Sequence, residues 1–341
     1  MRADRMAWVC TPMAAPERAM FSHPGPTGPE ANSMKGLDSR ARPPSTSLSL
    51  NRTHAWQTVL NFEEEGAMNI SPAQPSMRQP SLLRPALPLK VHARLYREVS
   101  ARLRWDHEMD RAAARMLGRM LKGCSRPSLV ESELHGRPCI VLGAGPSLVR
   151  DVEAIRTYGL DRACSIVAAD GAACALLEAG LVPSVVVSDL DGREECLVKA
   201  RELGSLFVVH AHGDNLELLE RLVPLLRPVL GTCQVEGPRP LANLGGIMDG
   251  DRAVCLAVSA CANPVILGGM DLEGGIGEYS SMGRRPPEEA GYRLLTTKTV
   301  LGEVARVSKK VFLNATSGAS TISGFTRVSW KQVWEKLLGG R

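Results

Sequence analysis

Val186–Gly192 reads VVSDLDG and Leu206–Asn215 reads LFVVHAHGDN. Each begins as a short apolar run and ends abruptly in acids, histidines and glycine, so charge arrives where a buried strand would emerge. Four or five apolar residues bounded by turn signals suit a strand buried on both faces, and Glu194–Leu203 between them has helical length and composition. Strand, helix, strand implies parallel pairing. Ligands of open parallel sheets sit beyond the carboxyl ends of the strands, so Asp189, Asp191, His210, His212 and Asp214 are expected to share one crevice.

The pattern repeats outward in both directions. Pro138–Leu142 is an apolar run followed by GAGPSL (Gly143–Leu148), a strand, glycine turn and helix start. Gly143, Gly145, Pro146 and Ser147 are therefore candidates to line a nucleotide phosphate, by close backbone approach, a Ser147 cap and free N–H groups of a first helical turn. A tight turn of purely structural purpose is the alternative, and Leu148 stands where the dinucleotide fingerprint has its third glycine. Ser165–Ala169 leads to Asp170-Gly171, and Pro264–Leu267 leads to GGMD, ending at Asp271. NLGGIMDGDRA (Asn243–Ala253) carries Asp249 and Asp251 before a further helix. A single Asp after a strand is often only a helix cap. Caps alone do not call for DxD, HxHxD and DGD in one chain, so the joint reading is functional.

Clustered carboxylates beside a glycine turn, without cysteine-histidine metal spacing, suit a hard cation such as Mg²⁺. The metal candidates are Asp189, Asp191 and Asp170. His210 and His212, alternate residues on a strand, could instead converge on zinc or iron, or serve as a phosphate hydrogen bond, a proton relay or packing. No GxSxG elbow surrounds Ser188, so a nucleophilic triad is not indicated. The residues alone thus reach Mg²⁺-dependent phosphate or diphosphate transfer on a doubly wound, mainly parallel α/β domain.

The 341 residues are 44% hydrophobic and 23% charged, ordinary for a globular protein, with a formal charge of +5. Aromatics are only 4% and no basic block interleaves with them, which argues against nucleic acid as a partner. No apolar run reaches membrane-span length and no signal peptide is evident, so the reading is cytoplasmic. The nine cysteines, scattered and without a CxxC pair, read as buried reduced thiols. Residues 1–75 are rich in Pro, Ser, Gly and Arg and read as a disordered extension, or as the consequence of a start placed too far upstream of Met68 or Met77. Residues 76–136 hold a helical element from about Val91 to Lys122 and a linker; its Arg-rich face reads as solvated, or as a cap over the site. Residues 137–330 form the α/β domain, and 331–341 a C-terminal tail.

GAGPSL, ADGA, VSDLDG, HAHGDN, GTCQ, NLGGIMDGDRA and GMDLEGGIGEYS, in this order, resemble the archaeal-type 6-hydroxymethyl-7,8-dihydropterin pyrophosphokinase (MptE-like) family. The resemblance runs from about Cys139 to Ser280 and departs from the family pattern at Leu244, Ile247 and Met248. It implies a Rossmann-like, thiamin-pyrophosphokinase-like fold, and transfer of the terminal two phosphates of ATP to a pterin alcohol, releasing AMP for tetrahydromethanopterin or folate synthesis. Under it, Gly143, Gly145, Pro146, Ser147, Asp170 and Gly171 line the nucleotide, and His212 or Asp214 handles the hydroxyl proton. Arg252 and Lys298 neutralise diphosphate, and His210, Asn215, Asn243, Asp249, Asp251 and Asp271 are available to the substrate. Thiamine as acceptor, and a homo-oligomer, stay open. The rivals are a sugar transferase akin to the central domain of motility accessory factors, which shares the GxGPSL turn, and a non-catalytic nucleotide-binding regulator.

Overall fold

The computed structural model describes residues 83–318 and 320–339; the readings made for residues 1–75 lie outside them. Eight strands form one sheet: β1 (Cys139–Leu142), β2 (Ser165–Ala169), β3 (Val185–Ser188), β4 (Leu206–Ala211), β5 (Val229–Cys233), β6 (Val265–Gly268), β7 (Phe312–Asn314) and β8 (Thr326–Arg327). All neighbours pair in parallel, in the order β5-β4-β3-β2-β1-β6-β7-β8. Cys139 of β1 stands opposite both Ser165 of β2 and Val265 of β6.

The strands are apolar without a break because both faces are covered. In β1, Ile140 and Leu142 enter one core and Cys139 and Val141 the other; β2, β3 and β4 divide the same way. The first core is filled by α4 (Leu148–Thr157), α5 (Ala172–Glu178), α6 (Glu194–Glu202) and α7 (Leu216–Leu226), which are the crossovers from β1 to β5. The second is filled by α8 (Asp249–Ser259) and α9 (Pro287–Val307), which precede and follow β6. The chain therefore winds one way out to β5, returns to the middle at β6, and winds the other way. This is the doubly wound sheet read from the sequence, and its switch point lies between β1 and β6.

The N-terminal helical stretch is two helices, α1 (Leu89–Leu103) and α2 (His107–Met120), followed by α3 (Pro127–Leu134). The break at residues 104–106 has no glycine or proline to announce it. Arg104 adopts a left-handed φ of 55°, and Asp106 then caps α2 by accepting the N–H groups of Glu108 and Met109. Far from standing apart, α2 packs Ala113, Ala114, Leu117 and Leu121 into the first core, against α7 and β5. Residues 331–341, read as a tail, mostly belong to α10 (Trp330–Leu337), whose Trp330 and Val333 are buried. The reduced-thiol reading needs one correction: Cys174 and Cys196 form a disulfide between α5 and α6. They are 22 residues apart, and only the side-by-side crossovers bring them together. Cys139, Cys164, Cys233 and Cys255 are buried and free. No helix among the described residues is long and apolar enough to cross a membrane.

Candidate active site

The carboxyl ends of β1, β2, β3, β4 and β6 open into one cleft enclosing about 910 Å³, solvent at its mouth included. Asp170 ends β2, and Asp189 and Asp191 follow β3. Each of the three offers a carboxylate oxygen within 4.8 Å of the others. Their arrangement is built by Ser188, whose hydroxyl donates to Asp170 Oδ1 (2.7 Å) and accepts the Leu190 N–H (2.8 Å). Asp170 and Leu190 both hold left-handed φ angles, 41° and 75°, which side chains other than glycine adopt at a cost. Gly192 closes the turn because a Cβ there would lie 2.6 Å from Asp170 Oδ1.

Burial and mutual repulsion oppose the charges gathered here. Burial first, then Asp191 and Asp189, raises the Asp170 carboxyl well above its ordinary range. Burial, followed by Asp249, pushes Asp189 up to about 6, and burial followed by Asp189 raises Asp191. Asp249 is raised by burial too, although Arg252, whose Nη1 donates to its Oδ1 at 2.9 Å, works in the opposite direction.

His212 lines the cleft one strand further on. Its Nδ1 lies 3.0 Å from Asp214 Oδ1 and 3.6 Å from Asp110 Oδ1. Neither approach is aligned as a hydrogen bond, so the contacts are electrostatic as they stand. The His212 contact holds the Asp214 carboxyl down at about 2. Trp105 packs against the His212 ring at a centroid distance of 4.8 Å.

The other sequence candidates divide by what they touch. Gly143, Gly145, Asp249, Arg252 and Asp271 line the cleft with the acid trio. The glycine turn, however, is close-packed rather than open. Gly143 and Gly145 donate their N–H groups to Gly268 O and Gly269 O, and the Ser147 N–H goes to Asp271 Oδ2 at 3.0 Å. A Cβ on Gly145 would meet that same Asp271 oxygen at 2.3 Å. The expectation of free N–H groups cradling a phosphate, and of Ser147 as helix cap, is therefore corrected: these donors hold the β1 and β6 turns together, and Ser147 makes no capping bond. Pro146 and Ser147 lie outside the cleft lining, as does Gly171, whose Cα approaches the Tyr279 backbone so closely that a Cβ would stand 1.8 Å from its oxygen.

Asp251 accepts the Ile247 and Met248 N–H groups and so caps α8 instead of facing a ligand. Asn215 brackets the HAHGDN turn, donating to Asp189 O and His210 O and accepting the His212 N–H. His210 is buried behind the site with Nδ1 at 3.1 Å from Thr232 Oγ1. Asn243 lies beside His92 Nδ1 (3.3 Å) in a separate depression under α1. Lys298 is paired with Glu273 outside the cleft lining.

Sequence reasoning missed Trp105, Arg285 and Arg293, which also line the cleft. Arg285 Nη2 lies 3.8 Å from Asp191 Oδ2, and Arg293 stacks over the Trp105 ring at 5.7 Å. The two arginines flank the start of α9, and no spacing tied that helix to the acids. An acid-lined cleft with Arg285 and Arg293 in its wall can hold a cation and a polyphosphate together, whereas Arg252, expected to neutralise diphosphate, is taken up by Asp249 and Ile247 O.

The profile of the 6-hydroxymethylpterin diphosphokinase MptE-like family matches residues 114–275. A 6-hydroxymethyl-7,8-dihydropterin pyrophosphokinase of Methanothermobacter thermautotrophicus is 38% identical over 194 residues, covering 56% of this chain and 82% of the relative. The chain belongs to the MptE-like family. Relatives described in the same words from Methanocaldococcus jannaschii and Pyrococcus furiosus are 35% and 40% identical over 193 and 190 residues, covering 54% of this chain in both cases and 80% and 78% of the relatives. Among solved structures, a MAf glycosyltransferase from Magnetospirillum magneticum AMB-1 is similar at a TM-score of 0.44 and 18% identity, over 66% of this chain and 38% of the other. That likeness is too distant to bear on function. The family's matched span begins inside α2, so Trp105 and Asp110 lie just before it.

Proposed function

We propose that this member of the MptE-like family transfers the terminal diphosphate of ATP to the hydroxymethyl oxygen of 6-hydroxymethyl-7,8-dihydropterin, releasing AMP. The observation that carries the reading is the convergence of the Asp170, Asp189 and Asp191 oxygens within 4.8 Å in the one deep cleft to which the sequence motifs lead. An all-oxygen set whose charges burial and mutual repulsion oppose is suited to a hard divalent cation such as Mg²⁺, and these three residues would hold it. When bound, the cation neutralises phosphate oxygens.

The protein's own groups do the rest. Arg285, beside Asp191, and Arg293 share Glu289 as a partner and both line the cleft, where with the first turn of α8 at Met248–Gly250 they offer positive charge and backbone dipole to the polyphosphate. Arg252 is committed to Asp249 Oδ1 and Ile247 O, so its part is to fix the Asp249 wall. The acids beside His212 Nδ1 favour its proton there, which leaves Nε2 as the acceptor nitrogen of a residue that lines the cleft. In the reaction the pterin hydroxyl oxygen forms a bond to the β-phosphorus, its proton passes to His212 Nε2, and the bridge to the α-phosphorus breaks to leave AMP. Positioning and charge neutralisation account for such a phosphoryl-type step without a covalent enzyme intermediate.

Asp189→Asn and Asp191→Asn test the reading. Turnover should fall by roughly 10²–10³-fold or more while the protein stays folded. Unchanged turnover in both variants would refute it.

A further inference from the structure

We infer that Asp110, on the N-terminal helix α2, is a positioning residue for His212. The inference rests on the role proposed for His212 as acceptor of the hydroxyl proton. Asp110 is 1% exposed. Its Oδ2 accepts the Tyr96 hydroxyl at 2.6 Å and the Gln234 Nε2–H at 3.0 Å, which fixes the carboxylate plane. The other oxygen, Oδ1, accepts the Gly213 N–H at 2.7 Å and lies 3.6 Å from His212 Nδ1. Among the described residues, His212 is the only basic side chain within ion-pair distance of Asp110.

The carboxylate thus grips the HAHGD turn by backbone and side chain together. Gly213 is what allows α2 so close, because a Cβ there would come within 2.8 Å of Met109 Cβ and 3.1 Å of Asp110 Oδ1. Asp214 is nearer to the same imidazole nitrogen, at 3.0 Å, and senses it strongly, but its side chain is 64% exposed, so holding it there costs side-chain freedom that the buried Asp110 has already lost. Asp110 is sealed from solvent and held by three donors, and it sets the His212 tautomer. The N-terminal helices are on this account part of the working site, beyond the span the family profile matches.

Selective ¹⁵N labelling of the histidines in the full chain reads the tautomer directly. Wild type should show His212 protonated at Nδ1, Asp214→Asn should keep that preference, and Asp110→Asn should lose it with an unchanged melting profile. Asparagine keeps an acceptor for Gly213, and Gln234 can turn its amide to match it. Tyr96→Phe, which leaves the charge in place, should retain the wild-type tautomer. In turnover, Asp110→Asn should lower kcat by about 10- to 100-fold with KM for ATP little changed. The same substitution in a His212→Gln background should cost less than about twofold more, because two residues acting through one step are not additive. A tautomer unaffected by Asp110→Asn, or an equal loss in both backgrounds, would overturn the inference. Absence of AMP formation by the wild type would strike the proposed function instead, and the spectrum would still decide the role of Asp110.

Discussion

Asp189 shows how the site trades stability for charge. Burial and Asp249 raise its carboxyl to about 6, above the ~3.9 of an unfolded chain. Such a group favours the fold below about pH 4 and loses that contribution as pH rises through 6, so at neutral pH without a divalent cation the ionised acid opposes folding. Asp189→Asn should therefore melt about 2–6 °C higher than wild type at pH 7.5 in chelator; a lower melting temperature would contradict this. His92 has the opposite pH sense. Burial, then Arg252, lowers it to about 4, so its contribution is complete above about pH 6.5 and is lost as pH falls toward 4, on the order of 3 kcal/mol. Denaturant titrations between pH 7 and 4 should show a shallower loss for His92→Gln. The acid trio was legible in the sequence because all three residues follow apolar runs. Asp110 left a fainter trace, as the one acid on a stripe continued by Ala113, Ala114, Leu117 and Leu121.

At the scale of elements, β1 to β4 and β6 were readable as apolar runs with a turn at the carboxyl end, since burial on both faces selects that pattern, whereas β5 continues through Gly231 and Thr232, which read as a turn. What escaped was the use of each polar residue in the turns. Asp151, in the first turn of α4, accepts N–H groups from Gly269 (2.7 Å), Ser317 (3.0 Å) and Trp330 Nε1 (2.9 Å), tying the β6 turn, the β7 turn and α10 to the glycine turn. No local spacing announces a residue whose partners are more than 100 positions away. Asp151→Ala leaves three donors without acceptors and should cost about 3–5 kcal/mol of unfolding free energy. Asp251→Ala removes a cap and should cost about 2 kcal/mol with little change in KM for the pterin. A large KM change with stability intact would return Asp251 to the substrate-binding set.

For the molecule as a whole, the sequence marked a boundary near residue 136 that the packing does not respect. The composition does shift there, but α2 covers the β5 end of the sheet with fully buried Ala113, Ala114, Leu117 and Leu121, and Trp105 from the α1–α2 junction enters the cleft. A chain starting at residue 123 would expose that apolar surface and lose Asp110; its soluble, cooperatively melting fraction should fall sharply. A stable, active truncated enzyme would show that the helices are dispensable. The far edge of the sheet was not legible either: β7 has three residues and the exposed β8 two, too few for a period to register.

The most direct test of the proposed chemistry is to incubate the purified protein with ATP, Mg²⁺ and 6-hydroxymethyl-7,8-dihydropterin and resolve the nucleotide and pterin products by chromatography. AMP and pterin diphosphate in equal amounts, absent without the pterin, is the expected result. ADP with a monophosphate ester, or no consumption of ATP by a folded protein that hydrolyses or transfers from a nucleotide sugar instead, would contradict it.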